Sequence, residues 1–142
     1  MPGTERTLVL VKPDGLQRQL VGRILARYEA RGLKLVGLKL VRVERDLAER
    51  HYEAHRAKPF FAGLVDFIIS APLVALALDG PNAIAVVRAI NGATRPHEAA
   101  PGTIRKDFAS SIEANAVHGS DSPQSAAFEI PYFFAATEIH PR

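Results

Sequence analysis

One histidine stands in a setting suited to chemistry. In Asn115-Ala-Val-His118-Gly119-Ser120-Asp121-Ser122 an imidazole leaves a short apolar strand, is followed by glycine, and precedes the start of a helix. The positive end of that helix favours a phosphate beside the ring. Gly119 permits close backbone approach, and Ser120 offers a hydroxyl. Glu129 lies about one to two turns into the helix and can reach back to the imidazole. A carboxylate on one ring nitrogen fixes the lone pair on the other. Nucleophile, orienting group and anion site are the parts of an enzyme that works through phosphohistidine. A turn histidine capped by local polar groups fits the same spacing.

Other residues could serve a phosphate. Lys12 directly follows a buried strand and begins a turn, either facing an anion or simply solvated. Arg88, Arg95, Arg105 and Lys106 share one short stretch with a single acid, Glu98. Such a local basic cluster suggests an anionic ligand, or else a solvated loop. Phe60 follows Pro59 at a helix start and could stack on a base, with Phe61 as its core partner. His51 and His55 are four residues apart, a metal-ligand spacing. The zincin pattern needs Glu directly after the first histidine, and Tyr52 stands there, so a surface helix face is expected. Neither G-x-x-x-x-G-K-[ST] nor G-x-G-x-x-G occurs, which excludes a P-loop and a Rossmann fingerprint.

The elements that must position these groups follow from the apolar pattern. Thr7–Val11 reads as a short buried strand, stopped by Lys12-Pro13-Asp14-Gly15. Leu20, Val21, Ile24, Leu25 and Tyr28 mark a helix that Gly32 caps. Leu33–Val43 is a second strand, with a bulge expected near Gly37. Asp46 and Glu49 form a capping box that opens a helix over 46–55. Pro59 suits the first turn of another, carrying Phe60, Phe61, Leu64, Val65 and Ile68. Pro72–Leu78 is a third strand, and Gly80-Pro81 opens a helix with Ile84, Val87 and Ile90 inward, closed near Gly92. Residues 93–114 read as a long loop. Ala116-Val117 supplies a fourth strand. Asp121 or Ser122 caps a last helix with Ala126, Ala127 and Ile130 inward, which Pro131 should end or kink. Two β-α-β units around a small sheet predict an α+β, ferredoxin-like sandwich: a four-stranded antiparallel sheet covered by helices. An open parallel sheet is the alternative.

Composition narrows the function classes. The 142 residues suit a single domain, 1–142, with apolar and charged fractions of 47% and 23% that argue against wholesale disorder. With no cysteine, disulfides, thiolate nucleophiles and Cys-based metal sites are excluded. The N-terminus lacks a signal-peptide pattern, and the longest apolar run, Phe67–Leu78, is too short to span a bilayer. A soluble, cytoplasmic protein with no membrane partner is expected. Charge is uneven: +5 over residues 1–56 and −2 over 57–142. Nucleic-acid binding is expected at most as a weak, salt-sensitive side activity. The three long strands carry no aromatic residue on which RNA bases could stack.

Four ordered segments together resemble nucleoside diphosphate kinase: Thr7–Gly15 (TLVLVKPDG), Glu49–Leu64 (ERHYEAHRAKPFFAGL), Gly92–Phe108 (GATRPHEAAPGTIRKDF) and Asn115–Ser122 (NAVHGSDS). The resemblance covers about Thr4 to Phe134. It implies ping-pong transfer of the γ-phosphate of a nucleoside triphosphate, mainly ATP, to a nucleoside diphosphate through a phosphohistidine on His118. It places Glu129 as the carboxylate orienting that ring, Ser120 as the nearby hydroxyl, and Tyr52 beside the nucleophile. Lys12 falls on the lysine shared between sugar 3′-hydroxyl and phosphates. Arg88, Thr94 and Arg105 fall on the phosphate clamp, with His55 on the same side, and Asn115 on the amide that meets the sugar. Phe60 and Ile112 would sandwich the base, with Leu64 lining that slot, so broad base specificity is implied. Mg²⁺ accompanies the nucleotide, held mainly by its phosphates rather than by a protein metal site. Family members are homo-oligomers, hexamers or tetramers.

The implied chemistry is physically coherent. Phosphoryl transfer needs in-line positioning and neutralisation of spreading charge, which Lys12, Arg88, Arg105 and Mg²⁺ can supply. The histidine must be neutral to attack, so activity should fall on acidification through the ordinary imidazole pKa of about 6.5. Arg95 and Lys106 depart from the family pattern by adding charge, and Pro131 falls close after Glu129. A non-catalytic nucleotide sensor on the same fold is the competing reading.

Overall fold

In the computed structural model residues 4–111 and 114–142 are described. Four strands, β1 (Thr4–Val11), β2 (Lys34–Val41), β3 (Leu73–Pro81) and β4 (Val117–Gly119), form one sheet in the order β2-β3-β1-β4. All three pairings are antiparallel, which removes the parallel alternative. The architecture is the ferredoxin-like sandwich.

Strand β1 shows why both faces are covered. Leu8, Val9, Leu10 and Val11 are all fully buried. Side chains alternate across a strand, so Val9 and Val11 face one core and Leu8 and Leu10 the other. The first core is closed by α2 (Val21–Ala30) and α5 (Ala83–Asn91) through Ile24, Tyr28, Val87 and Ile90. The second is closed by α3 (Arg45–His51), α4 (Phe61–Ile68) and α7 (Pro123–Phe133) through Ala48, Val65, Ile68 and Phe133. Each such buried Val, Leu, Ile or Phe side chain contributes about 1.5–3 kcal/mol. The expected bulge is present as a register shift between Leu35 and Gly37.

Several local expectations are corrected. The turn after β1 is a short helix, α1 (Pro13–Gln17). The capping box does not form: Glu44 is the N-cap, and Asp46 pairs with Arg50 instead. The expected helix over 46–55 stops at His51, and Glu53–His55 is a 3₁₀ turn. Pro59 precedes the N-cap Phe60 rather than lying in α4. The long loop contains a 3₁₀ turn, Pro96–Glu98, and α6 (Ile104–Phe108), which Thr103 caps by accepting from Lys106 N. Pro131 does not end α7, which runs to Phe133, and Phe134 N donates to Ile130 O across the proline. Ala126, Ile130 and Phe133 face inward there, while Ala127 is exposed. Among the described residues, no helix is long and apolar enough to cross a membrane.

Candidate active site

The sheet aims His118. It pairs directly with Leu10 across β1 and β4, and directly paired residues project to the same face. That face carries α3, α4 and α7. His118 therefore lies within β4 rather than after it. Ala116, expected to be strand, instead takes a left-handed φ of 72°. The His118 Nε2 lies 3.0 Å from Glu129 Oε1. A neutral ring donating there keeps its lone pair on Nδ1. Glu129 is itself held, because Ser120 Oγ donates to the same oxygen at 2.7 Å. Ser120 in turn accepts from Leu8 N at 3.3 Å and is fully buried. The chain of contacts thus runs from β1 through Ser120 and Glu129 to the imidazole. Pro131 leaves Glu129 within reach of it.

Gly119 has a packing task besides lining the cleft. A Cβ there would lie 2.9 Å from Val87 Cγ1 and 3.0 Å from Asn91 Nδ2. Its missing side chain lets α5 approach the sheet.

A second set of contacts fixes the lysine. Lys12 is buried at the end of β1, and its Nζ donates to Asn115 Oδ1 at 3.0 Å. Asn115 Nδ2 donates to Thr94 O at 3.3 Å. The Lys12 backbone N–H donates to Ala116 O, while Ala116 N donates to Asp14 Oδ2 at 3.0 Å. Asp14 thereby holds Ala116 in a conformation that costs an alanine of order 1 kcal/mol. Burial pushes the Asp14 carboxyl up, opposed by the Lys12 charge. Asp14 was readable from the sequence only as a turn residue.

The arginines line the same cleft, whose volume is about 770 Å³. Arg105 is the most constrained: it donates to Gly92 O at 2.7 Å and to Val117 O at 2.8 Å. Burial lowers its pKa. Gly92, with φ of 87°, ends α5 where a Cβ would strike Thr103 at 2.6 Å. Arg88 is exposed on the last turn of α5 and, with Arg105 and Thr94, also borders an adjoining pocket of about 340 Å³. Arg95 lines the main cleft. Lys106 is exposed on α6.

The far side of the cleft is built by α3, α4 and the turn between them. Tyr52, His55, Phe60 and Leu64 all line it. Tyr52 is buried with no partner for its hydroxyl, and burial, with Glu129 nearby, raises its pKa. Burial lowers the His55 pKa, and its ring lies 5.6 Å from that of Phe60. Phe60 is 45% exposed. Ile112 lies outside the described residues, so only one wall of the expected base slot is seen.

His51 overturns its expectation. It is not on a surface helix face: both ring nitrogens are buried without a partner. The ring stands edge-on to His118, 4.4 Å between centroids. Burial, then the neighbouring positive groups, hold its pKa well below 6.5. Ala48, His51 and Tyr52 recur at helical spacing and all face inward, which was the available signal. His51, His118 and Glu129 each present a ligand atom within 4.8 Å of the others. Two imidazoles and one carboxylate do not suit Mg²⁺, which takes oxygen ligands.

With the geometry in place, comparison with known proteins identifies the family. The sequence model described as nucleoside diphosphate kinase matches residues 5–139. A nucleoside diphosphate kinase of Picosynechococcus is 58% identical over 135 residues, covering 95% of this chain and 91% of that protein. One from Archaeoglobus fulgidus is 57% identical over 135 residues, 95% of this chain and 89% of its own. Among solved structures, a halophilic nucleoside diphosphate kinase from Halobacterium salinarum, in complex with CDP, superposes with a TM-score of 0.96. It is 46% identical, over 99% of this chain and 93% of that one.

Proposed function

The chain belongs to the nucleoside diphosphate kinase family, enzymes of the transferase class, and from that premise we propose that His118 carries the phosphoryl group. In the first half-reaction the free imidazole nitrogen attacks the γ-phosphorus of Mg²⁺-bound nucleoside triphosphate, mainly ATP. A nitrogen–phosphorus bond forms and the bond to the nucleoside diphosphate breaks. That diphosphate leaves. In the second half-reaction a terminal phosphate oxygen of another diphosphate attacks, and the nitrogen–phosphorus bond breaks.

The observation that carries the proposal is the held imidazole: His118 tied to Glu129, and Glu129 tied through Ser120 to the sheet. Glu129 stabilises the ring as it gains positive character. Lys12, Arg88 and Arg105 neutralise charge on the transferring group, with Thr94 beside them. Arg105 is preset by its two carbonyl contacts. Asn115 holds Lys12 and meets the sugar. Tyr52 and His55 border the phosphates, while Phe60 and Leu64 receive the base. The CDP complex of the halophilic relative supports a nucleotide in this cleft.

Residues 1–142 act as one unit, since the site takes Lys12 from just after β1 and Glu129 from α7. The cysteine-free composition suits the reducing cytoplasm. Association into a homo-oligomer, hexamer or tetramer, is supported by Leu38 and Leu40, exposed on β2 at the sheet's edge. The deciding experiment is an intact mass taken without acid after mixing with Mg²⁺-ATP, then after adding a different nucleoside diphosphate. One phosphoryl group gained, then lost, and absent in His118→Ala, is the expected result. Nucleotide bound with no adduct would overturn the proposal and favour a sensor.

A further inference from the structure

We propose that the His51–His118–Glu129 triangle is a capture site for a borderline-soft divalent cation, Zn²⁺, and that an ion held there blocks phosphorylation. The blocking half rests on His118 being the nucleophile; the binding half does not.

Three observations converge. The three ligand atoms lie within 4.8 Å of one another. Two imidazoles and a carboxylate, with a fourth position open to water or substrate, form the donor set that zinc takes in hydrolases. His51 supplies the independent sign. Its two nitrogens are buried among His118, Tyr52 and Phe133, yet touch no hydrogen-bond partner. Catalysis as proposed above makes no use of that ring. A neutral imidazole with an unused lone pair, packed against the nucleophile, is a ligand awaiting a metal.

The geometry also limits the affinity. Bonds of about 2.0–2.1 Å around tetrahedral zinc put ligand atoms roughly 3.3–3.4 Å apart. The triangle must therefore contract, and His51, whose ring lines the cleft while its nitrogens are sealed from water, must turn. Binding also displaces the contact between His118 and Glu129. Those costs make binding weaker than at closed structural sites.

Calorimetric titration of metal-free protein with Zn²⁺ tests the binding half. One equivalent is expected, weakened at least about tenfold by His51→Gln and by Glu129→Gln. Replacing the exposed His97 and His140 together should leave it unchanged. Binding that survives both cleft substitutions, or is lost with the surface pair, overturns the proposal. If His51→Gln fails to fold, Glu129→Gln decides. The blocking half is read by mass after Mg²⁺-ATP, with free Zn²⁺ buffered above its dissociation constant. Loss of the phosphoryl adduct, restored by a Zn²⁺-selective chelator that leaves Mg²⁺ with the nucleotide, supports it; an unchanged rate of adduct formation overturns it. Absence of the adduct in zinc-free protein would instead count against the kinase mechanism and leave the calorimetric result standing.

Discussion

The two ends of the cleft are built to different standards. At the phosphate end, Lys12, Asn115 and Ser120 are buried, and hydrogen bonds join Lys12 to Asn115, Asn115 to Thr94, and Ser120 to Glu129. Their backbones belong to strand ends of the sheet or lie beside them. At the base end, Phe60 is half-exposed at the N-cap of α4, next to a 3₁₀ turn. It has ring contacts with His55 and with the Lys58 ammonium, 5.6 Å away in each case. The difference matches the chemistry each end must do. A transferring phosphoryl group tolerates little misplacement. A base held by its π-face can slide or be exchanged for another. In the proposed mechanism rigidity is concentrated where the phosphoryl group would move between partners, and the part that differs among nucleotides would meet a looser wall.

The comparison can be broken most severely at the phosphate end. His118→Ala should lower turnover by at least about 1,000-fold, because among the described residues no other cleft imidazole is held by a carboxylate as His118 is by Glu129. Steady-state assays with Mg²⁺-ATP and a second nucleoside diphosphate would measure it; retention of a tenth of the activity would refute the nucleophile. Next comes Arg105. Arg105→Lys keeps the charge but loses the fork that bridges Gly92 O and Val117 O. A drop of about 10²–10³ in turnover is expected. Near-full activity would mean that charge alone suffices and that the end is less rigid than its contacts suggest.

Stability offers a third probe, through His51. The folded protein holds this ring neutral well below 6.5, whereas the unfolded chain protonates it near that value. Below about pH 6.5 the unfolded state takes up a proton that the folded state refuses. His51 thus imposes no penalty above that pH, and stability falls as pH drops through it, by up to about 1.4 kcal/mol per pH unit. Urea midpoints at falling pH should show the slope in the native sequence and a shallower one in His51→Gln. Equal slopes would mean that the ring is hydrated in solution.

How far the sequence could be read follows the same division between local and distant causes. Strand β1 is legible because four consecutive apolar residues have nowhere to go but a two-sided core. The order of elements and the sandwich follow from similar runs. Lys12, Arg105 and His118 could be nominated because strand ends, local basic clusters and a histidine before a helix are local patterns. The position of His118 inside β4 was not legible, since the left-handed Ala116 before it is held by Asp14, about a hundred residues earlier in the chain. The same applies to the capping box: Asp46 and Glu49 have the right spacing, but Asp46 is drawn to Arg50. The setting of His51 depends on which way α3 packs, and only the helical spacing of Ala48, His51 and Tyr52 points to its burial.

The smallest expected effect sharpens the contrast from the other end. Phe60→Ala removes an exposed ring that, in the proposed mode of binding, supports one face of the base. Stacking of a base on an aromatic ring is worth about 1–3 kcal/mol. An exposed ring with one face in use lies at the lower end, so KM should rise several-fold. Turnover at saturation should hardly change, because Phe60 touches the phosphate side only through the ring of His55, and the contacts that hold Lys12, Arg105 and His118 do not pass through it. The rise should be similar for purine and pyrimidine diphosphates, since a π-face does not read base edges. A purine-only effect would mean that the base end discriminates. A fall in turnover comparable to that of Arg105→Lys would mean that the two ends are coupled, and that the looser wall helps to place the phosphate after all.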